Sequence, residues 1–402
     1  MYNNIPFDKA ADIMIKCVKR VGIETVQLSL ACGRVLASDI VATTDIPPFD
    51  RSPFDGYALR TADTAAATAG APVTLQILEE VPAGSLPTVA VTAGTAVKIL
   101  TGSPVPKGAD TVVKYELTKF DKDTVTLFEP VARQDITRQG EDVTVGTMLA
   151  SVGHKIDPAT MGTLAAQGLT CPYVYKIPKV GIISVGEEII AASEEPSGGK
   201  IRDTNRYILE GAVLSAGAQP VFLGKTGDRE NEIAQLFNAG LESCDLIIST
   251  GGAAMGDYDA TPAAMEAAGM EILVRKIDIK PGGSCAYAVK DGKAAFALPG
   301  NPAAAIVNFY TAALPCIRKM CGLENYENKK TVVTLAENFT KKSAQTRLLR
   351  GKLDLAKGDA LMHISSQGSA MLHATIGCDV IAIIPAGMSE VAAGTKLLAY
   401  LI

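Results

Sequence analysis

A chain of 402 residues exceeds one ordinary hydrophobic core, and its length predicts two to four domains. With 48% hydrophobic and 20% charged residues it reads as a folded globular protein rather than a disordered one, and the net charge of −5 argues against the basic stripe of a nucleic-acid binder. No run approaches the roughly 18 consecutive apolar residues of a membrane span, and Met1-Tyr-Asn-Asn-Ile-Pro-Phe-Asp8 lacks the regions of a signal peptide, which predicts a cytoplasmic protein.

In chain order, Ile13, Met14, Cys17 and Val18 fall on one helical face behind Asp8 as N-cap, predicting a short amphipathic helix over 8–20. From about 71 to 150 the texture turns to β-rich runs such as Val73-Thr-Leu-Gln-Ile-Leu78 and Thr124-Val-Thr-Leu-Phe128, cut by Gly and Pro, which predicts a separate β domain. Asp157-Pro158 offers an N-cap and first-turn proline for a helix through about Gln167. Residues 178 to 322 then alternate strand and helix. Strands are expected at 180, 220, 245, 271 and 294, and helices near 206–216, 230–242, from 261, and from Asn301 to Met320, which implies a parallel or mixed sheet covered on both faces. After about 329 short strands return, ending in Val380-Ile-Ala-Ile-Ile384 and Lys396-Leu-Leu-Ala-Tyr-Leu-Ile402, as in a small β-barrel or sandwich.

Four loops in the alternating region each follow an apolar run and each join glycine to acid or amide. They are Ser184-Val-Gly-Glu-Glu188, Gly227-Asp228, Thr250-Gly-Gly-Ala-Ala-Met-Gly-Asp257 and Leu298-Pro-Gly-Asn-Pro302. In an open sheet the carboxyl ends of parallel strands lie along one edge, so these loops should converge on one crevice. Glu187, Glu188, Asp228, Asp257 and Asp259 would bring carboxylates there, which repel one another unless a divalent cation or a cationic group compensates. Mg²⁺ is the natural candidate, because it binds through one or two carboxylates plus phosphate oxygens. Gly251, Gly252 and Gly256 would allow close backbone approach to a phosphate, although a double glycine after a strand is more often a tight turn. Asn301-Pro302 reads first as N-cap and N1 of a long helix, whose start also presents a positive dipole end to an anion beside Pro299 and Gly300. Lys280 reads either as a solvated loop lysine or as a positioned cation beyond a strand, and Pro281 and Gly282, which narrow the loop after it, favour the second. The eight cysteines form no Cys-x-x-Cys pair and the three histidines stand apart, so reduced, mostly buried thiols are expected and a zinc site is not.

Taken together, Gly33-Arg-Val-Leu-Ala-Ser-Asp39, Asp45-Ile-Pro-Pro-Phe-Asp-Arg-Ser-Pro-Phe-Asp-Gly-Tyr-Ala58, Leu100-Thr-Gly-Ser-Pro-Val-Pro-Lys-Gly-Ala-Asp110, Arg138-Gln-Gly-Glu-Asp142, the four loops, Asp203-Thr-Asn-Arg206 and Gln367-Gly-Ser369 resemble the molybdopterin molybdenumtransferases, the MoeA-type proteins related to the gephyrin E domain. The match runs in order over nearly the whole chain. The resemblance implies an elongated subunit in four parts: residues 1–45 with 140–177, a β-rich part at 46–139, a three-layer α/β molybdopterin-binding part at 178–328, and a β-barrel at 329–402. It implies a homodimer in which the β-rich part approaches the partner's α/β part. The implied reaction converts adenylylated molybdopterin and molybdate to molybdenum cofactor and AMP with Mg²⁺ assisting, and implied protein partners are the upstream adenylyltransferase and recipient apo-molybdoenzymes. Catalytic positions carried over by the resemblance are Asp55, Thr101, Asp142, Glu188, Asp228, Asp259 and Lys280. Glu188, Asp228 and Asp259 become the metal ligands, and Ser184 joins the loop glycines and Pro299–Pro302 in holding the pterin nucleotide.

The sequence departs from the family pattern at Val185, Ala254 and Gly283, where two hydroxyls and a second lysine are usual, and at Arg51, Pro53 and Phe54. Arg51, four residues before Asp55, is either a solvated loop residue or a replacement cation for the oxyanion. Adenylyl transfer to molybdopterin, tungstate in place of molybdate, and a non-catalytic pterin-binding or scaffold role are the competing readings.

Overall fold

The apolar runs of the alternating region become strands buried on both faces, which is why they read as continuous hydrophobic stretches rather than alternations. Lys179–Val185 is fully buried after its first residue, and so is Leu246–Thr250. The computed structural model describes every residue except Arg133, residues 253–259, residues 357–359 and Ser389. It divides into two compact units: residues 1–38, 152–158 and 171–402, and residues 39–151 with 159–170.

The first unit is built on a seven-stranded mixed sheet. Across the sheet lie Tyr2–Ile5, Glu271–Ile277, Ala286–Lys290, Lys293–Leu298, Leu246–Thr250, Lys179–Val185 and Gln219–Thr226. The last four run parallel, Ala286–Lys290 is antiparallel to both neighbours, and Tyr2–Ile5 joins the far edge parallel to Glu271–Ile277. Val180, Ile182, Leu246, Ile248, Ala294 and Phe296 face one side, packed under helices Phe7–Cys17, Asn205–Ser215 and the long run from Pro302 to Met320. Ile183, Val185, Ile247, Ala295 and Ala297 face the other, under Glu230–Ser243 and Ala260–Ala267. Three layers result. Residues Lys330–Leu335, Thr346–Asp354, Leu361–Ile364, Val380–Ile384 and Lys396–Leu401 close into a five-stranded barrel, because Thr346–Asp354 pairs with both Leu361–Ile364 and Val380–Ile384. A short segment, Ile279–Lys280, adds to the barrel parallel to Thr346 and Arg347.

The second unit holds a six-stranded curled sheet in the order Thr111–Lys114, Gly56–Leu59, Thr95–Ile99, Val73–Val81, Thr124–Leu127 and Thr118–Phe120. Tyr57, Leu59, Leu75, Ala96 and Val125 form its core. The chain is therefore a multidomain α/β protein with a mixed central sheet, a curled β domain and a C-terminal barrel. No helix among the described residues is long and apolar enough to cross a membrane.

Several local expectations need correction. The first helix starts at Phe7 behind Pro6, with Asp8 inside the first turn rather than at the cap. An acid there suits the helix dipole equally well, so composition alone does not fix the boundary. Tyr2–Ile5 and Ala286–Lys290 are strands that periodicity missed, the first because its residues are mostly exposed at an edge. Asn301 does adopt the N-cap conformation with Pro302 following, yet its side chain does not cap; its carbonyl accepts from Ala304 and Ala305 N–H at 3.0 and 2.9 Å. The long helix also contains a π turn over Phe309–Ala313. All eight cysteines are free, with Cys244, Cys285, Cys316 and Cys321 buried and Cys32 and Cys171 exposed.

Candidate active site

The ends of the parallel strands, Val185, Thr226, Thr250 and Leu298, lie along one edge of the sheet, and the loops after them open a cavity of about 880 Å³. Its wall includes Ser184, Glu188, Asp228, Gly251, Gly252, Lys280 and Pro299 through Pro302. The structure thus brings together the described members of the predicted α/β site, with Glu187 the exception. Gly256, Asp257 and Asp259 lie outside the described residues.

The loop chemistry shows why these residue types stand here. Gly251 has φ +94°, and a Cβ there would sit 2.0 Å from the Val185 carbonyl oxygen; Gly252, at φ +60°, would crowd Thr261 Oγ1 at 2.5 Å. Both glycines are thus required by the turn itself, whatever ligand it approaches. Thr261 Oγ1 in turn donates to the Gly251 carbonyl at 3.1 Å. Glu187 does not join the cavity wall: its Oε1 lies 2.0 Å from where a Cβ at Gly227 would be, so its carboxylate covers that glycine, while Lys200 Nζ donates to its carbonyl at 2.6 Å.

Sequence reasoning missed several wall residues. Ser184 Oγ donates to Asp203 Oδ2 at 2.6 Å, both being buried, and Asp203 Oδ1 accepts from Arg206 N–H at 3.1 Å. Asn205 Nδ2 donates to Thr250 Oγ1 at 2.6 Å and to the Gly300 carbonyl at 2.7 Å, which ties two strand-end loops together. Its Oδ1 is buried without a partner. The Asp203-Thr-Asn-Arg206 motif was the available signal. Lys276 also lines the cavity, so Lys280 is not the sole cation there; it holds φ +65° inside a strand, a conformation uncommon for a residue with a side chain. Arg202 reaches the wall too, but its guanidinium is engaged by Glu195 at 2.9 Å and by the Glu194 carbonyl at 2.9 Å. At Gly283 a Cβ would stand 2.9 and 3.0 Å from the Ile277 and Ile279 carbonyl oxygens, so the backbone here resists a side chain at that position.

The barrel completes the wall with Gln345, Ser369 and Ala370. Arg350, 1% exposed, holds that loop in place by donating to the carbonyls of Ser366 at 2.9 Å, Gly368 at 3.4 Å and Ala303 at 3.4 Å. Burial lowers its affinity for a proton. Gln367, quoted in the resemblance, works the same way from its own side: its Nε2 donates to the Arg350 carbonyl at 2.7 Å and its Oε1 accepts the Arg350 N–H at 3.2 Å.

Asp55, Thr101, Asp142 and Arg51 belong to the other unit. Asp55 Oδ1 accepts both the Thr101 N–H and the Thr101 hydroxyl at 2.7 Å, and these two bonds hold its carboxyl below the usual carboxylate range. Asp50, nearby in sequence, is likewise low: partial burial pushes it up, but the Gln139 N–H and Arg138, at 2.7 Å, outweigh that. Arg51 is exposed, while its backbone exchanges hydrogen bonds with Thr137 at 2.9 and 3.0 Å. Asp142 is exposed and its N–H donates to the Ile46 carbonyl at 3.0 Å. Thr101→Val should move the Asp55 pKa upward towards the ordinary value. A carboxyl whose folded pKa is depressed contributes stability present above its unfolded pKa and lost as pH falls through the folded one. Because the backbone N–H bond, the larger of the two causes, remains in the variant, the low-pH limb of the stability profile should lose only the hydroxyl's share of that contribution, and a carboxyl-carbon NMR titration of Asp55 with an unchanged midpoint would refute the assignment.

A covered mixed sheet with acids, amides and lysines gathered at its strand ends, joined to a curled β domain and a barrel, defines a multidomain α/β protein with a polar ligand cavity. Residues 5–168 match the family model of the MoeA N-terminal region (domains I and II), residues 181–319 that of a probable molybdopterin binding domain, and residues 332–402 that of the MoeA C-terminal region (domain IV). The molybdopterin molybdenumtransferase of Staphylococcus aureus (strain MRSA252) is 32% identical over 396 residues, covering 98% of this chain and 94% of that protein. The Bacillus subtilis (strain 168) protein of the same name is 31% identical, covering 95% and 90%. The crystal structure of the molybdopterin biosynthesis moeA protein of Pyrococcus horikoshii OT3 superposes with a TM-score of 0.84 at 30% identity over 99% of this chain and 100% of that one. The chain belongs to the MoeA family of molybdopterin molybdenumtransferases.

Proposed function

We propose that the protein inserts molybdenum into adenylylated molybdopterin, releasing AMP. The observation that carries this reading is the single cavity that joins Glu188, Asp228, Lys276 and Lys280 to the glycine-shaped loops at the strand ends, in a chain that matches this family along its whole length. The orphaned Oδ1 of Asn205 offers an acceptor for a donor group of a bound pterin.

Magnesium fits the donor set, since two carboxylates plus substrate phosphate oxygens are what it takes from a protein; among the described residues no group of three metal-binding side chains gathers, and Asp259 is outside them. Glu188 and Asp228 would hold it, and it would neutralise charge on the phosphoanhydride. The chain's own residues do the rest. Lys280 and Lys276 balance the charge of the oxyanion and the adenylyl phosphate. Asn205, by bridging two loops, keeps the cavity mouth in register. The test is to incubate the purified protein with adenylylated molybdopterin, Mg²⁺ and either molybdate or tungstate, and to measure AMP release and transfer of cofactor. No AMP with either oxyanion would overturn the reading in favour of a pterin-binding role.

We further propose an isologous homodimer in which Asp55, Thr101 and Arg51 of one subunit complete the site of the other, because the functional motifs are divided between two units of the chain. Light scattering at micromolar concentration should give twice the subunit mass. A fully active monomer would refute it. With Gly283 in place of a lysine, Arg51 contributes to oxyanion binding beside Lys276. Arg51→Ala should raise the molybdate concentration for half-maximal turnover by about fivefold while leaving pterin binding unaltered; an unchanged molybdate dependence would make it a solvated loop residue.

A further inference from the structure

The turn that carries Lys280 is held from behind by a buried side chain. Asn308, on the helix that starts at Pro302, is fully buried, and its Nδ2 donates to the Gly282 carbonyl at 2.9 Å and to the Ala304 carbonyl at 3.0 Å. Its Oδ1 accepts from the hydroxyl of Tyr287 at 2.7 Å. Tyr287 is itself fully buried on the strand Ala286–Lys290, its ring 4.9 Å from that of Phe296, and desolvation keeps the phenol protonated by raising its pKa well above the ordinary value. Every hydrogen-bonding capacity that an amide must satisfy in a dry interior is met: two N–H groups face two carbonyls, and the oxygen faces a hydroxyl donor. The reverse orientation would set Oδ1 against two carbonyl oxygens, so the amide has one arrangement.

The fit is tight. Gly282, at φ +101°, could carry no side chain, because a Cβ would lie 2.2 Å from Asn308 Nδ2. The Gly283 carbonyl accepts the Ile277 N–H, and the Cys285 carbonyl accepts the Lys276 N–H, both at 3.0 Å, so the same turn also fixes the backbone under Lys276. Directly after Asn308 the helix enters the π turn Phe309–Ala313, a local departure that recurs at functional sites.

We propose that Asn308, oriented by Tyr287, is a positioning residue that sets the Lys280–Gly283 turn and thereby the two lysines of the cavity. The role of those lysines towards an oxyanion rests on the function proposed above; the positioning itself does not. Asn308→Leu keeps the side-chain bulk and removes all three side-chain hydrogen bonds, and Tyr287→Phe removes only the hydroxyl that orients the amide. Hydrogen exchange should then quicken in peptides covering 276–285, by about tenfold or more in Asn308→Leu and less in Tyr287→Phe, with peptides covering 309–320 unchanged. In the turnover assay Asn308→Leu should raise the half-saturating molybdate concentration by about tenfold and that of adenylylated molybdopterin by less than about twofold. Combined with Lys280→Ala it should add little, since both changes act on one group.

Exchange at 276–285 that stays unchanged in both variants, or that quickens equally along the helix, would overturn the proposal, as would effects of Asn308→Leu and Lys280→Ala that simply add. If Asn308→Leu does not fold, the exchange pattern of Tyr287→Phe decides alone. A wild-type protein without oxyanion-dependent turnover would bring down the functional reading, and the exchange measurement would still judge the turn.

Discussion

Asp228→Ala and Glu188→Ala should each lower the rate of AMP release by about a hundredfold to a thousandfold, the range expected when charge compensation at a reacting phosphate is lost. Both side chains are exposed on the cavity wall. Removing either should therefore leave the thermal midpoint within a few degrees of wild type, as is usual for surface positions. The distinction between chemistry and folding is built into that pair of readouts. Single-turnover release of AMP, followed across a magnesium series, should show a raised magnesium requirement in both variants. Equal rates in wild type and both variants would remove these carboxylates from the mechanism.

Gly251→Ala should cost the fold about 3 kcal/mol, because its Cβ must enter space occupied by backbone and its φ is unfavourable for an L side chain. The obstructing atom is the Val185 carbonyl oxygen, 2.0 Å from the Cβ position, and Gly251 N–H is itself committed to the Leu298 carbonyl at 3.2 Å. Neither neighbour is a flexible side-chain end, so relief requires separating the ends of three strands. Gly300→Ala provides the control in the same cavity: its nearest neighbour to a Cβ is Gly251 Cα at 3.6 Å, ordinary contact. Urea denaturation should show a large fall in midpoint for Gly251→Ala and a small one for Gly300→Ala. Equal midpoints would mean that the turn relaxes without strain, and the glycine would then have to be explained by ligand approach alone.

The two glycines illustrate how much of the site was legible beforehand. That Gly251 and Gly252 end a strand and form a tight turn follows from residue type, and positive φ at both agrees. The acids were legible as a set, because each follows an apolar run, but their division of labour was not. Glu187 and Glu188 are adjacent and chemically alike, yet one lines the cavity and the other covers Gly227. Lys276 was hidden inside a strand pattern, since only a left-handed residue takes a side chain out of the alternation, and no local signal marks such a residue when it is a lysine. Gln345 and Ser369 come from the barrel: Gln345 is brought to the cavity beside the pairing of Ile279–Lys280 with Thr346–Arg347, and Ser369 by the bond from Ala303 N–H to its carbonyl at 3.1 Å and by the Arg350 anchor.

By itself the sequence determined the layers and the edge of the sheet on which ligand chemistry would gather, because apolar periodicity and strand-end glycines are local consequences of backbone geometry and burial. Which strand pairs close the barrel, the edge strand Tyr2–Ile5 and the buried contact between Asn308, Tyr287 and Gly282 were decided only in the tertiary structure. Asn308 stands 26 residues from Gly282 and 21 from Tyr287, and nothing in the types of the three residues requires them to meet. What brings them together is the packing of one helix against a strand and a turn, where an amide can be buried only if both of its ends are satisfied.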